Sequence, residues 1–191
     1  MAGVIDTSEF RNGMKIEIDG EPYTILEFQH VKPGKGSAFT RTTIRSLISG
    51  RNLERTFKSG DKVDRPDIEE RDMQYLYQQG DEYHFMDQRN FEQTYMDAKV
   101  LGDAKNYLKE NINASILFYN GKAIEVTLPN SVELKVIKCD PGVRGDTVSG
   151  AQKPATLETG YVINVPLFIN EGDVLKIDTR SGEYLTRTSV A

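Results

Sequence analysis

The 191-residue sequence predicts an all-β protein made of three small barrels, of the SH3-like or oligonucleotide-binding kind. Three observations carry this expectation. Apolar and polar residues alternate with period two along much of the chain, the spacing of half-buried strands. The alternating runs are short, and turn pairs such as Asp19-Gly20 and Asn120-Gly121 separate them. Only residues 97–108 have a plausible helical spacing.

In chain order, Met14-Lys15-Ile16-Glu17-Ile18 alternates, Asp19-Gly20 turns the chain, and Tyr23-Thr24-Ile25-Leu26-Glu27-Phe28 returns as a hairpin. Residues 38–48 keep β-branched and aromatic side chains and read as a further strand. Residues 32–37 therefore read as a hairpin loop, with Lys35 between Gly34 and Gly36 just after Pro33. The glycines permit backbone angles that other residues resist, and Pro33 limits the slack of the loop. At 59–66 the pattern breaks into polar residues and a proline, which places a domain boundary at Arg65/Pro66.

The second block has strand-like runs at 73–77, 83–86 and 91–95, then the helical patch at 97–108. A second hairpin, 115–119 and 123–127, follows around Asn120-Gly121, and Pro129 closes the block. The third block opens with a strand at 132–137, continues through a Gly-rich loop at 140–150, and has strands at 161–165, 174–177 and 184–187. The expected domains are 1–65, 66–129 and 130–191, each close to the lower size at which a domain folds alone.

Composition narrows the function. Hydrophobic residues make up 38% and charged residues 28%, as in a globular rather than a disordered chain. No apolar run is long enough to span a membrane, and MAGVIDTSEF has neither the basic start nor the apolar stretch of a signal peptide. Cys139 is the single cysteine, so no intrachain disulfide forms and a reducing cytoplasm is expected. The net charge of −5 argues against a generic nucleic-acid binder, but it is unevenly spread. Residues 1–65 carry a net +2, 66–129 a net −6 and 130–191 a net −1. Between Lys32 and Lys58 seven basic residues face one acid, Glu54. A local positive field thus surrounds Lys35 and suits contact with phosphate, although scattered charges on a solvated hairpin would read the same way.

Catalytic patterns are absent. Gly34-Lys35-Gly36-Ser37 is not a phosphate-binding P-loop, because Gln29 stands where that motif needs a glycine and a strand follows instead of a helix. His30 and His84 each stand alone, with no second histidine or cysteine at metal-ligand spacing, and no metal or cofactor is expected. His84 reads as structural and Cys139 as a half-buried strand-end residue. Tyr75, Tyr77, Tyr83, Phe85, Phe91 and Tyr95 suit either base stacking or core packing, and core packing is the expectation for most of them.

A family resemblance then covers essentially the whole chain in order. It rests on EFRNG at 9–13, DGEPY at 19–23, VKPGKGSAF at 31–39, RTFKS at 55–59, YLY at 75–77 and TLPN at 127–130. DPGVRGDT at 140–147, KPATLETGYVINVPLFINEGD at 153–173 and DTRSGEYLTR at 178–187 complete it. In these residues the chain resembles the bacterial elongation factor P family. The resemblance implies an SH3-like first barrel and two oligonucleotide-binding-like barrels in an L of tRNA-like size. It also implies a monomeric, cytoplasmic translation factor that is not an enzyme. Such a factor binds both ribosomal subunits between the peptidyl and exit sites, beside peptidyl-tRNA, and relieves stalling at consecutive prolines.

By the same resemblance, Lys35 is the tip residue that reaches the peptidyl-transferase centre, and a lysine-modifying enzyme is a possible partner acting on it. Members carry β-lysylation, sometimes with hydroxylation, or aminopentanol addition on this lysine; a third group carries rhamnose on arginine, which a lysine excludes. The lysine also argues against the paralogous factor-P-like protein, which usually lacks it. Lys32, Pro33, Gly34, Gly36, Arg41 and Arg45 become loop and tRNA-binding candidates. Gly145, Asp146 and Thr147 resemble the motif near the exit-site codon, and Tyr184 and Arg187 a segment near RNA. The competing reading is a free-standing RNA-binding protein of tandem oligonucleotide-binding-like domains, in which Lys35 is an ordinary loop residue.

Overall fold

The computed structural model describes residues 3–142 and 150–191. It is nearly all β, in three antiparallel sheets. Strands β1 (Val4–Asp6), β2 (Lys15–Ile18), β3 (Glu21–Val31), β4 (Phe39–Ser46), β5 (Asn52–Lys58) and β6 (Lys62–Asp64) form the first, in the order β1-β6-β2-β3-β4-β5. The second contains β7 (Ile68–Gln79), β8 (Glu82–Asp87), β9 (Gln93–Asp97), β10 (Asn113–Tyr119) and β11 (Lys122–Thr127), in the order β11-β10-β7-β8-β9. The third contains β12 (Ser131–Cys139), β13 (Gln152–Leu157), β14 (Val162–Pro166), β15 (Val174–Asp178) and β16 (Tyr184–Ser189), in the order β14-β13-β12-β15-β16.

The tight turns form where their chemistry requires them. Asp19 and Gly20 have φ of +52° and +78°, and Asn120 and Gly121 have +50° and +76°. Two successive positive φ values are the geometry of the hairpin turn that matches strand twist, and Asp-Gly and Asn-Gly adopt it with little strain. Each sheet also carries a register shift in a long strand, at Ile25/Glu27, Tyr75/Tyr77 and Val136/Lys138. Such bulges bend a strand and increase its twist, which lets a short sheet curl over its own core.

Ile5, Phe10, Ile16, Ile25, Ile44, Phe57 and Val63 fill the first core, where Phe10 and Phe57 meet edge to face at 5.4 Å. Met73, Tyr75, Phe85, Met96 and Ile116 are buried along the second sheet. Leu134, Val136, Leu157, Val165, Leu175 and Ile177 centre the third.

Two compact units result, Met1–Glu70 with Leu117–Glu125, and Arg71–Ile116 with Val126–Ala191. Side-chain contacts explain both groupings. In the first unit the Tyr119 hydroxyl lies 3.0 Å from both Glu17 Oε2 and the Gly20 carbonyl, and its one proton serves the pair. In the second unit Tyr107 belongs to the third sheet's core although it precedes β10. Next to it, Thr159 donates its hydroxyl to the Asn106 carbonyl at 2.7 Å, and Lys109 pairs with Glu158 at 3.2 Å.

Several sequence expectations need correction. The stretch 59–66, read as a break, contains the strand β6. Strands β1, β5 and β13 were not anticipated. Strand β13 carries Pro154, which pairs with Asn164 on β14, while the pairing of β13 with β12 starts at Ala155. The missing N–H of Pro154 therefore costs no ladder bond on that side. Of the six aromatics expected mainly in the core, Tyr75, Tyr83 and Phe85 are buried, whereas Tyr77, Phe91 and Tyr95 are exposed. The helical patch expected at 97–108 does form, as the short α-helix Ala98–Leu101 followed by the 3-10 helix Gly102–Tyr107.

Candidate functional site

The candidate site is the β3–β4 hairpin and its tip. Strand β3 runs eleven residues, and its pairing with β4 continues out to Val31↔Phe39. At about 3.3 Å per residue, β3 alone spans some 36 Å. Beyond the bulge at Ile25/Glu27 the pairing is unbroken from Glu27↔Thr43 to Val31↔Phe39, and it carries the tip.

The ladder is reinforced near its end. His30 Nδ1 and Thr40 Oγ1 are 2.8 Å apart across the hairpin, and the His30 ring meets Phe28 edge to face at 5.4 Å. Thr42 donates its hydroxyl to the Arg55 carbonyl at 2.8 Å, which ties β4 to β5. Thr40 and Thr42 are both buried, so these are satisfied polar contacts within the arm. The His30–Thr40 pair was readable in principle. A loop at 32–38 places residue 30 opposite residue 40.

At the tip, Lys32, Gly34, Lys35 and Gly36 are exposed and Pro33 is half-buried. Gly36 has φ of +107°, a conformation that side-chain-bearing residues rarely adopt. Gly34 does not share that conformation, and a methyl group there would meet nothing within 4 Å. The need for glycine thus falls on the residue after Lys35. Among the described residues, no hydrogen bond or ion pair engages the Lys35 amine.

Alternation along β4 buries Thr40, Thr42, Ile44 and Ser46 and leaves Arg41 and Arg45 exposed on the other face. They lie four residues apart, roughly 13 Å along the strand. Arg45 donates from Nε to Asn52 Oδ1 at 3.1 Å. Arg55, on the neighbouring strand, pairs with Asp19 at 3.7 Å.

The remaining candidates fall within residues 130–191. Gly145, Asp146 and Thr147 lie outside the described residues. Their flanks are anchored: Lys153 is buried and donates from Nζ to the Asp140 carbonyl at 2.6 Å. A side chain at Gly142 would come within 2.8 Å of the Leu167 carbonyl. Tyr184 is half-buried against the third core. Arg187 donates to Asp173 Oδ2 at 3.1 Å, and its guanidinium sits 5.1 Å from the centre of the Phe168 ring. Asp173 is fully buried. Burial alone would raise its carboxyl pKa, but N–H donors from Asn170 and Ala191 and the Arg187 guanidinium hold it below the usual carboxylate range. No cluster of three or more His, Cys, Asp or Glu side chains suits a metal ion among the described residues.

Comparison with known proteins decides the family. Over 184 residues the chain is 55% identical to elongation factor P of Moorella thermoacetica, covering 96% of this chain and all of that one. The chain belongs to the elongation factor P family. Elongation factor P of Maridesulfovibrio salexigens is 56% identical over the same length, with 99% of that protein covered. Family models for the elongation factor P KOW-like domain, the OB domain and the C-terminal domain match residues 6–63, 68–126 and 132–187. A solved structure, eukaryotic translation initiation factor 5A from Methanococcus jannaschii, superposes with a TM-score of 0.57 at 23% identity. It covers 66% of this chain and 93% of its own, a likeness of fold. The protein is thus a translation elongation factor, of a ribosome-associated family and not an enzyme family.

Proposed function

We propose that this factor binds the ribosome between the peptidyl and exit sites and uses the β3–β4 arm to fix the acceptor end of peptidyl-tRNA. In this reading it stimulates peptide-bond formation and relieves stalling at consecutive prolines. The observation that carries the proposal is the exposed, unengaged Lys35 amine at the end of a paired and clasped hairpin.

Proline reacts poorly in peptide transfer because its amine is secondary and its ring fixes φ. Where catalysis depends on positioning, a displacement of about 1 Å costs on the order of a hundredfold in rate. Correcting such a displacement needs a stiff narrow support and a donor able to hydrogen-bond an RNA backbone. The lysine ammonium offers three donors on a flexible stem. Modification of Lys35 by a separate enzyme would lengthen that reach and keep positive charge. Lys32, Arg41 and Arg45 contact nearby tRNA phosphates in this reading, and Pro33, Gly34 and Gly36 shape the tip. Residues 145–147 approach the small subunit, with Tyr184 and Arg187 beside RNA. The factor acts in the cytoplasm as a monomer of three domains, 1–65, 66–129 and 130–191.

Proximity tests the reading. Cys139 is the only cysteine, so the Lys35→Cys, Cys139→Ala variant accepts a single photoreactive label at the tip. On ribosomes stalled before a Pro-Pro bond, the label is expected to cross-link the 3′ end of peptidyl-tRNA. Labelling confined to other RNA would favour the free-standing RNA-binding alternative.

A further inference from the structure

We propose that the outer face of β7, β8 and β9 is a docking surface for a basic protein segment, recognised through an arginine side chain. The inference is independent of the role assigned to Lys35. It starts from a row of aromatics that the core does not use. Tyr77 is paired with His84, and His84 with Tyr95, so the three side chains stand abreast across three strands. The Tyr77 ring stacks on His84 at 4.5 Å with 16° between planes, and Tyr95 lies 6.0 Å from the same imidazole. Tyr77 is 49% exposed and Tyr95 56%, while Tyr75, Phe85 and Met96 fill the inner side of the same strands.

The next row on this face is acidic. Gln79 pairs with Glu82, and Glu82 with Asp97. Like charges held directly opposite across a ladder are destabilising. Here no lysine or arginine forms an ion pair with either carboxylate among the described residues. Glu82 approaches only the His84 imidazole, at 3.6 Å, and Asp97 makes no side-chain hydrogen bond to the helix it precedes. Two strand residues separate the rows, roughly 7 Å. An arginine spans that gap, with its guanidinium plane against a tyrosine ring and its N–H fork toward the carboxylates.

Charge selects the occupant. Aromatics on this part of an oligonucleotide-binding fold commonly stack bases. In this chain the phosphates of such a strand would run beside Glu82 and Asp97, in a block holding twelve acidic and six basic residues. A basic peptide gains from both rows, whereas RNA gains from one and is repelled by the other.

The test uses the full-length protein and a short fluorescein-labelled peptide alternating arginine with serine, followed by fluorescence anisotropy. Saturable binding is expected, about tenfold weaker in the Tyr77→Ala/Tyr95→Ala variant, which leaves the charge unchanged. Glu82→Gln/Asp97→Asn should weaken it similarly, and Lys35→Ala should not alter it. Circular dichroism checks folding. If the double tyrosine variant is unstable, Tyr95→Ala alone, on the edge strand, gives the same reading. Equal binding by wild type and the tyrosine variant would mean general attraction to an acidic protein and would overturn the proposal, as would no binding. Tighter binding of a labelled single-stranded RNA, lost in the tyrosine variant, would make the face an RNA platform instead.

Discussion

Tyr107 and Tyr161 meet edge to face, with ring centroids 5.5 Å apart and planes at 76°. Through this contact a residue that precedes β10 enters the core of the third sheet. Gly182 closes over the pair: a Cβ there would lie 2.8 Å from the Tyr107 hydroxyl.

Removing this plug should be costly. Tyr107→Ala is expected to destabilise the second unit by about 3–5 kcal/mol, the range for emptying a buried aromatic site. Urea unfolding followed by circular dichroism measures it. Gly182→Ala should also destabilise, because its φ of +75° and the close Tyr107 hydroxyl both oppose a side chain.

The same tyrosine sets an alkaline limit. Burial, then its hydrogen bond with Tyr161, pushes the Tyr107 phenol up to about 12. The fold therefore favours the neutral phenol over the phenolate more than the unfolded chain does. Its contribution is complete below about pH 10 and is lost as pH rises toward 12. Melting temperatures of wild type and Tyr107→Phe, compared across that window, should converge as pH increases.

Asp173 predicts the opposite sign. Its carboxyl is held below the usual range, so its contribution is present above the unfolded value near 4 and is lost as pH falls through the folded value. Arg187→Met leaves the buried carboxylate without its cation and should cost about 3–5 kcal/mol at neutral pH. Chemical denaturation at pH 7 and at acidic pH checks both statements. A loss of activity in an Arg187 variant must therefore be separated from a loss of stability before RNA contact is inferred.

The tip offers a paired comparison. Gly36→Ala forces a side chain onto φ of +107° and should distort the loop at a local cost of about 1–2 kcal/mol. Gly34→Ala meets open space and should be tolerated. Global melting temperature should barely move in either, while stimulation of Pro-Pro synthesis should fall for Gly36→Ala alone.

What could be read from the sequence was local. Asp19-Gly20 and Asn120-Gly121 adopt the turn geometry that their side chains favour, and alternation in β4 separates buried Thr40 and Thr42 from exposed Arg41. Lys35 was found because two glycines and a proline exclude it from any packed strand. Strand β13 escaped notice because its residues violate local rules that tertiary contacts repair. Lys153 is buried against a carbonyl, and Pro154 pairs with β14 but sits where β12 makes no pair. Nothing near Tyr107 announces which core it enters, since that depends on residues more than fifty positions away, among them Tyr161. Period two shows which side chains alternate, but not which face of β7–β9 is left open, so the exposed Tyr77 and Tyr95 could not be told from the buried Tyr75 and Phe85.

The central claim is that one amine at the end of the β3–β4 arm aligns peptidyl-tRNA. Its most direct test is the single-turnover rate of Pro-Pro bond formation on stalled ribosomes, with wild-type factor and with Lys35→Ala. The variant should keep the wild-type fold and still bind ribosomes, yet lose nearly all of the acceleration. An equal acceleration by both proteins would contradict the account.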